Sequence, residues 1–186
     1  MNVQVTADIR EVRGMFRGIR KRALPLAVPR ALNRATQQAR TATVKDVARE
    51  MGIKQKIVKE RVRFQKRDKA TRQRWTAVTF VVITDIPARK LGTPRQTKKG
   101  GKAGKHLYPG SFVARGRYEG AFKSTGGLAI FRRRGKKRLP IAEVKVPVER
   151  IVVKHTPRNL ETVGRPVFKR RLEHELKRQF QLRGYA

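Results

Sequence analysis

The chain has 186 residues, with 48 Lys and Arg against 13 Asp and Glu, a formal net charge of +35. It has no cysteine, which excludes disulfides, Cys-ligated zinc, iron–sulfur clusters and thiol catalysis. Apolar residues at 38% suffice for one modest core, so a single domain over residues 1–186 is expected. No apolar run approaches the roughly 18 residues of a membrane-crossing helix, so no membrane partner is expected. The first residues lack a signal-like apolar segment, so secretion is not expected either.

Residues 2–24 have helical periodicity. Val5, Ile9, Val12, Phe16 and Ile19 recur at spacings of three and four, with Arg10, Arg13, Arg17 and Arg20 between them. Pro25 and Pro29 then predict a turn or kinked join over 24–28. A second helix is predicted over 29–51, with Leu32, Ala35, Ala39 and Ala42 on its buried side and Gly52 as its stop. The alanine stripe implies a close-packed neighbour, within or between subunits. A third helix is predicted over 54–63, with Ile53, Ile57, Val58 and Val62 on one side.

After Phe64 the pattern becomes β-like. The run 75–83, Trp75 through Ile83, is rich in β-branched and aromatic residues, and residues 63–66 can supply a partner strand. The stretch 93–107, TPRQTKKGGKAGKHL, has almost no apolar side chains and is predicted to be a mobile basic arm. Strands are expected over 110–115, 128–134 and 139–146, with residues 134–138 as a basic hairpin tip. Pro140 and Pro147 limit the last strand to an edge. A C-terminal helix is expected over 160–182, within a 158–183 helical unit, with Val163, Val167, Leu172, Leu176 and Phe180 as its apolar side. The fold class is therefore α+β: a helical part over 1–63, a small antiparallel twisted sheet over 64–150, and a C-terminal helix.

Catalytic chemistry finds little support. His106, His155 and His174 share no metal-ligand spacing, and no pair of acids resembles a two-metal site. No nucleophile elbow, zinc-protease motif or phosphate-binding loop is present. No cofactor and no enzyme activity are expected.

The segment Thr43–Ile53 resembles the start of the helix-turn-helix of sugar-responsive bacterial repressors. Ala48 and Gly52 stand where that motif needs a small residue and a turn. Arg61 then falls at a position that such a motif would bury. A DNA-binding regulator using residues 43–63 is one alternative function, and a ribosomal-type RNA-binding protein, from composition, is another.

Between Pro87 and Arg138 there are 16 basic residues and one acid, Glu119. Three basic clusters stand out along the whole chain: Arg61, Arg63, Lys66, Arg67, Lys69, Arg72 and Arg74; Lys98, Lys99, Lys102 and Lys105; and Arg132, Arg133, Arg134, Lys136, Lys137 and Arg138. Aromatics, at 6%, are not interleaved with them, so contact with phosphate backbone or an acidic protein is expected rather than base reading. The last cluster is the first candidate for DNA or acidic-partner contact, and the run 61–74 the second.

The block 31–63, with Asn33–Arg34, the VARE of Val47–Glu50 and the KIVKERVR of Lys56–Arg63, resembles the minor tail protein Z family of lambda-like tailed phages. The PGSF of Pro109–Phe112, the RLPI of Arg138–Ile141 and the VKVP of Val144–Pro147 extend the likeness in the same order. The resemblance implies a structural virion protein that completes the head-proximal end of the tail and helps join tail to head. It implies a closed ring, commonly six-fold, around the DNA channel. The partners it implies are further copies of the chain, neighbouring neck and tail-tube or terminator proteins, and the backbone of the phage duplex.

Overall fold

A computed structural model describes residues 23–115 and 127–182. The helix expected over 2–24 lies outside the described residues except for its last two positions. Leu24 instead opens the longest element, helix α1 (Leu24–Met51). The turn expected over 24–28 is therefore the first part of this helix. Pro25 falls in the first turn, where a backbone N–H has no intrahelical acceptor. Pro29, one turn further, sacrifices one backbone bond but is buried with Ala27, Val28, Ala31 and Leu32. Gly52, at φ 63°, closes α1 with a left-handed cap.

The helix α2 (Gln55–Lys59) is shorter than the span 54–63 suggests. Its chain leaves the helix to form strand β1 (Val62–Arg63), antiparallel to β2 (Phe80–Val81). The long strand expected over 75–83 is thus paired at two residues only. Ala77, Val78 and Thr79 are buried, but the backbone around them makes no continuous ladder. Apolar and β-branched residues there serve the core rather than a sheet.

The stretch 93–107 is a three-stranded antiparallel sheet, β4 (Pro94–Thr97), β5 (Gly100–Ala103) and β6 (His106–Pro109), not an arm. Its glycines mark close approaches. A Cβ on Gly100, at φ +143°, would lie 2.2 Å from the Tyr108 carbonyl oxygen, and one on Gly101 would lie 2.8 Å from Ile130 Cγ2. With no side chain on Gly101, the sheet settles directly onto a second one: β7 (Ser111–Arg115), β8 (Leu128–Arg133) and β9 (Ile141–Glu143). Ser111 ties the two sheets: its hydroxyl accepts from Gly101 N at 3.0 Å and donates to Tyr108 O at 2.5 Å.

The strand expected over 139–146 divides. β9 lies at the sheet edge just after Pro140, and the chain then changes partner at Val144. Beyond it, β10 (Lys145–Val146) pairs with β3 (Ile86–Pro87).

The C-terminal helical part starts well before residue 158. Helix α3 (Glu149–Asn159) passes through one wide π turn (Leu160–Gly164) into α4 (Arg165–Gln181). Pro166 has no N–H to donate, and the ladder widens just ahead of it: Arg165 N donates five residues back to Leu160 O. Both helices pack against α1. At the wide turn a Cβ on Gly164 would lie 3.4 Å from Ala39 Cβ, so the alanine stripe works as close packing within this chain.

Two main clusters form the core. One joins the C-terminal half of α1 to Val58, Val62, Val81, Ile86, Ile130 and Val152. The other joins its N-terminal half to Val167, Phe168, Leu172 and Leu176 of α4, with Ala70 and Ala77. The class is mixed α+β with small antiparallel sheets.

Candidate functional site

The outer end of β8 carries the most open concentration of charge. Ala129, Ile130 and Phe131 are buried, and the strand then runs out of the core into Arg132 and Arg133. Arg134 N donates to Pro140 O at 3.0 Å and closes the hairpin, so residues 135–139 form its tip. All residues from Arg132 to Pro140 are exposed. Arg132 is anchored, its guanidinium donating to Pro109 O at 3.0 Å. Arg133, Arg134, Lys136, Lys137 and Arg138 have no side-chain partner among the described residues.

The fold adds two cations to this hairpin that lie far from it in sequence. Lys98 and Lys99 form the turn between β4 and β5, closed by the Thr97–Gly100 pair. Gly110 N donates to Lys99 O at 3.4 Å, and Gly100 sits opposite Pro109. Pro109 is also the anchor of Arg132. The β4–β5 turn, the β6–β7 turn and the root of the hairpin therefore converge on one end of the two sheets. They form a basic ridge of Lys98, Lys99 and Arg132–Arg138. Sequence reasoning found the hairpin but not its neighbour, because the link is a pair of backbone and guanidinium bonds that no spacing reveals. Lys105 lies at the opposite end of β5, and Lys102 on the sheet face.

The run from Arg61 to Arg74 is built differently. Arg61 donates to Thr84 Oγ1 at 2.6 Å and Arg63 to Glu60 O at 2.9 Å. Arg67 lies 3.6 Å from the buried Asp68 carboxylate and 5.9 Å from the centre of the Phe80 ring. Arg74 donates to Arg67 O at 2.6 Å and to Lys69 O at 2.9 Å. The same strap is fixed to α1 by Asn33, whose amide donates to Ala70 O at 3.0 Å and accepts from Ala70 N at 2.8 Å. Lys66, Lys69 and Arg72 are exposed and keep free heads. Most of this cluster's guanidinium groups therefore hold an irregular strap in shape.

The segment 43–63 is not a helix-turn-helix reader. Its first helix is the end of a 28-residue one, and its second has 5 residues. Five residues make little more than one turn, too short to lay a row of side chains along a groove. The intermediate exposure of Arg61 and its bond to Thr84 agree with a surface β entry there.

A second polar constellation lies in a cleft of about 410 Å³ lined by Asp46, Glu50, His155 and Asn159 among others, between α1 and α3. His155 Nε2 lies 2.6 Å from Glu50 Oε2, which also accepts from Lys154 Nζ at 3.1 Å. Those two bonds, that from His155 first, hold the Glu50 carboxyl below its ordinary value of 4.5. Asn159 donates to Asp46 at 2.9 Å. The nearby Thr162 hydroxyl donates to its own helix at Arg158 O at 2.9 Å. Glu50 and His155 are 105 residues apart, and no spacing could have joined them. Among the described residues, no group of three His, Asp or Glu could hold a metal ion, and no helix is long and apolar enough to cross a membrane. His174 is exposed on α4, whereas Glu175 beside it is buried against Arg30 at 3.2 Å.

The described residues thus offer an exposed cation ridge and an ion-paired cleft. The chain is 30% identical over 141 residues to the tail completion protein of Escherichia phage N15, covering 70% of this chain and 71% of that one. It is 31% identical over 182 residues to tail completion protein Z of Escherichia phage lambda, covering 88% of this chain and 90% of that one. No solved structure matches it. The model of the family described as prophage minor tail protein Z (GPZ) matches residues 11–185, and the chain belongs to that family.

Proposed function

We propose that this chain is a structural protein of a phage tail and a component of the virion. It completes the tail at the head-proximal end and helps the tail join the head. It does so as a closed six-fold ring around the DNA channel, in contact with neighbouring neck and tail-tube or terminator proteins. It performs no reaction. The relatives' names support the tail role, and the family match extends it over nearly the whole chain.

One observation carries the DNA-channel reading: the ridge of exposed cations at the end of the sheets, which, Arg132 apart, have no side-chain partner among the described residues. Cations with no internal partner gain most from an external anion, and duplex DNA presents one charge per roughly 1.7 Å of axis. Rotational symmetry repeats one ridge around a lumen. With exposed Lys and Arg and no stacking aromatics, such a ridge touches phosphates without selecting bases, so DNA can be held and still slide.

Gold-labelled antibody against the chain, imaged on intact particles, tests the location; label at the head–tail junction is expected, and particles free of label overturn it. Light scattering of the purified chain, alone and with tail tube added, tests the ring. A closed oligomer in either sample is expected, and a monomer in both overturns it. Duplexes of unrelated sequence should bind equally, with affinity falling steeply as salt rises. Strong preference for one operator would favour the regulator instead.

A further inference from the structure

We infer that the outward face of the β4–β6 sheet is a docking surface for an acidic, apolar-containing segment of another virion protein, whose carboxylate Arg95 and Lys102 receive over a pocket floored by Gly104. That the partner belongs to the virion rests on the function proposed above; the chemistry of the surface does not.

The inward face of this sheet is taken up by packing, since Gly101 meets Ile130 and Ala103 is fully buried. The outward face carries a row set by the strand register. Arg95 stands directly opposite Lys102, and Lys102 directly opposite Leu107. All three are exposed, Leu107 to 40%. Like charges directly opposite on adjacent strands destabilise a sheet. No carboxylate of the described residues pairs with either cation to relieve this. Beside them lies a pocket of about 310 Å³ lined by Thr93, Arg95, Lys102 and Gly104. Its floor cannot carry a side chain: Gly104 has φ +57°, and a Cβ there would lie 2.7 Å from Leu91 O. Two uncompensated cations over a glycine floor form an anion seat, which Thr93 also lines.

The row favours protein over nucleic acid as the source of the anion. A duplex offers phosphates on a convex polar surface and does not cover a leucine. An acidic segment with an apolar side chain satisfies Lys102 and Leu107 together. A second copy of this chain is poorly suited, because it has only 13 acids and Glu50, Glu60, Asp68, Glu143 and Glu175 already hold its own cations. The seat is also separate from the basic ridge, since Gly104 and Lys98–Lys99 lie at opposite ends of β5.

The test titrates the full chain with two probes, a fluorescein-labelled Glu-Leu-Glu-Glu-Leu-Glu peptide and a short duplex. The expected result is a crossed pattern. R95Q/K102Q weakens peptide binding about tenfold and L107S by a few-fold, while duplex binding stays at the wild-type level. K136Q/K137Q/R138Q on the ridge weakens duplex binding and leaves the peptide alone. Melting followed by circular dichroism controls for folding: R95Q/K102Q should melt at or above the wild-type temperature, because it removes a like-charge pair. Wild-type peptide affinity in R95Q/K102Q, an unaffected L107S, or parallel loss of duplex binding overturns the proposal. So does loss of self-association in R95Q/K102Q by light scattering, which would make a second copy the occupant. Virions free of label at the neck would remove the tail assignment and leave the crossed pattern standing, so the two failures are distinguishable.

Discussion

Arg74 points its guanidinium at the carbonyl oxygens of Arg67 and Lys69, whereas the charged side chains of Arg134 and Lys137 are exposed to water. The two stretches that hold these residues, 61–74 and 132–138, carry similar numbers of cations, seven and six. In the fold, the first is an irregular strap with few ladder bonds, and its arginines supply the donors that its carbonyls lack. The second is a hairpin closed by the pairing of Arg132 and Arg133 with Ala142 and Ile141 and by Arg134 N donating to Pro140 O, and its side chains, Arg132 apart, have no partner among the described residues. The number of cations in a stretch therefore does not show how many are free; the deciding question is whether nearby carbonyls and acids already use them.

The largest effect that can break this contrast concerns the hairpin. Replacing Arg133, Arg134, Lys136, Lys137 and Arg138 with Gln should lower duplex affinity by about a hundredfold or more at low salt. It should also flatten the salt dependence by roughly 0.9 for each phosphate that is no longer neutralised. Thermal stability should stay within about 0.5 kcal/mol of wild type, because none of the five has a partner among the described residues. An unchanged salt slope, measured by anisotropy across a salt series, would remove the hairpin from the interface.

The complementary variant is Asn33→Ala, which cuts the strap from α1. It removes a donor to Ala70 O and an acceptor from Ala70 N, both on a residue 6% exposed. A loss of about 2 kcal/mol in denaturant unfolding is expected, since buried backbone groups are left unpaired. The salt slope of duplex binding should not move. Arg74→Gln is the milder form: its carbonyl partners are solvent-accessible, so a loss of about 1 kcal/mol is expected. If Arg74→Gln instead weakens duplex binding as much as a hairpin substitution does, the strap belongs to the interface and the contrast fails.

Much of the fold could be read from the sequence where one periodic pattern coincided with one packing role. The buried side of α1 and the apolar stripe of α4 are such cases, and so is the hairpin of β8 and β9. The expectation failed where a residue type served an unusual purpose. Glycines in 93–107 imply a mobile arm on composition, yet Gly100 and Gly101 are there because strands approach too closely for a Cβ. β-branched residues in 75–83 suggest a long strand, yet they fill a core beside a strap. Ile151, Val152, Val153 and Pro157 disguise α3, which is held as a helix by packing of Val152 and Thr156 rather than by propensity. Of the ridge, the hairpin was legible and Lys98–Lys99 was not, because their meeting depends on one turn bonding to another. The Glu50–His155 pair was invisible for the same reason across a longer separation.

The smallest expected effect extends the contrast to a cation held by an acid rather than by a carbonyl. Glu50 holds Lys154 and accepts from His155, and these bonds lower its folded pKa beneath 4.5. A carboxyl depressed in the folded state adds stability at pH values above its unfolded pKa. That increment begins to disappear as pH falls below about 4.5 and is gone once pH has passed the folded value. Glu50→Gln lacks this titration. The wild type should therefore be more stable than Glu50→Gln at neutral pH, by a modest margin because the site is open to solvent. The two unfolding midpoints should converge as pH is lowered from about 7 to about 3. A gap that stays constant over that range would mean that the carboxylate contributes packing alone, and that Lys154 is as free as the cations of the hairpin.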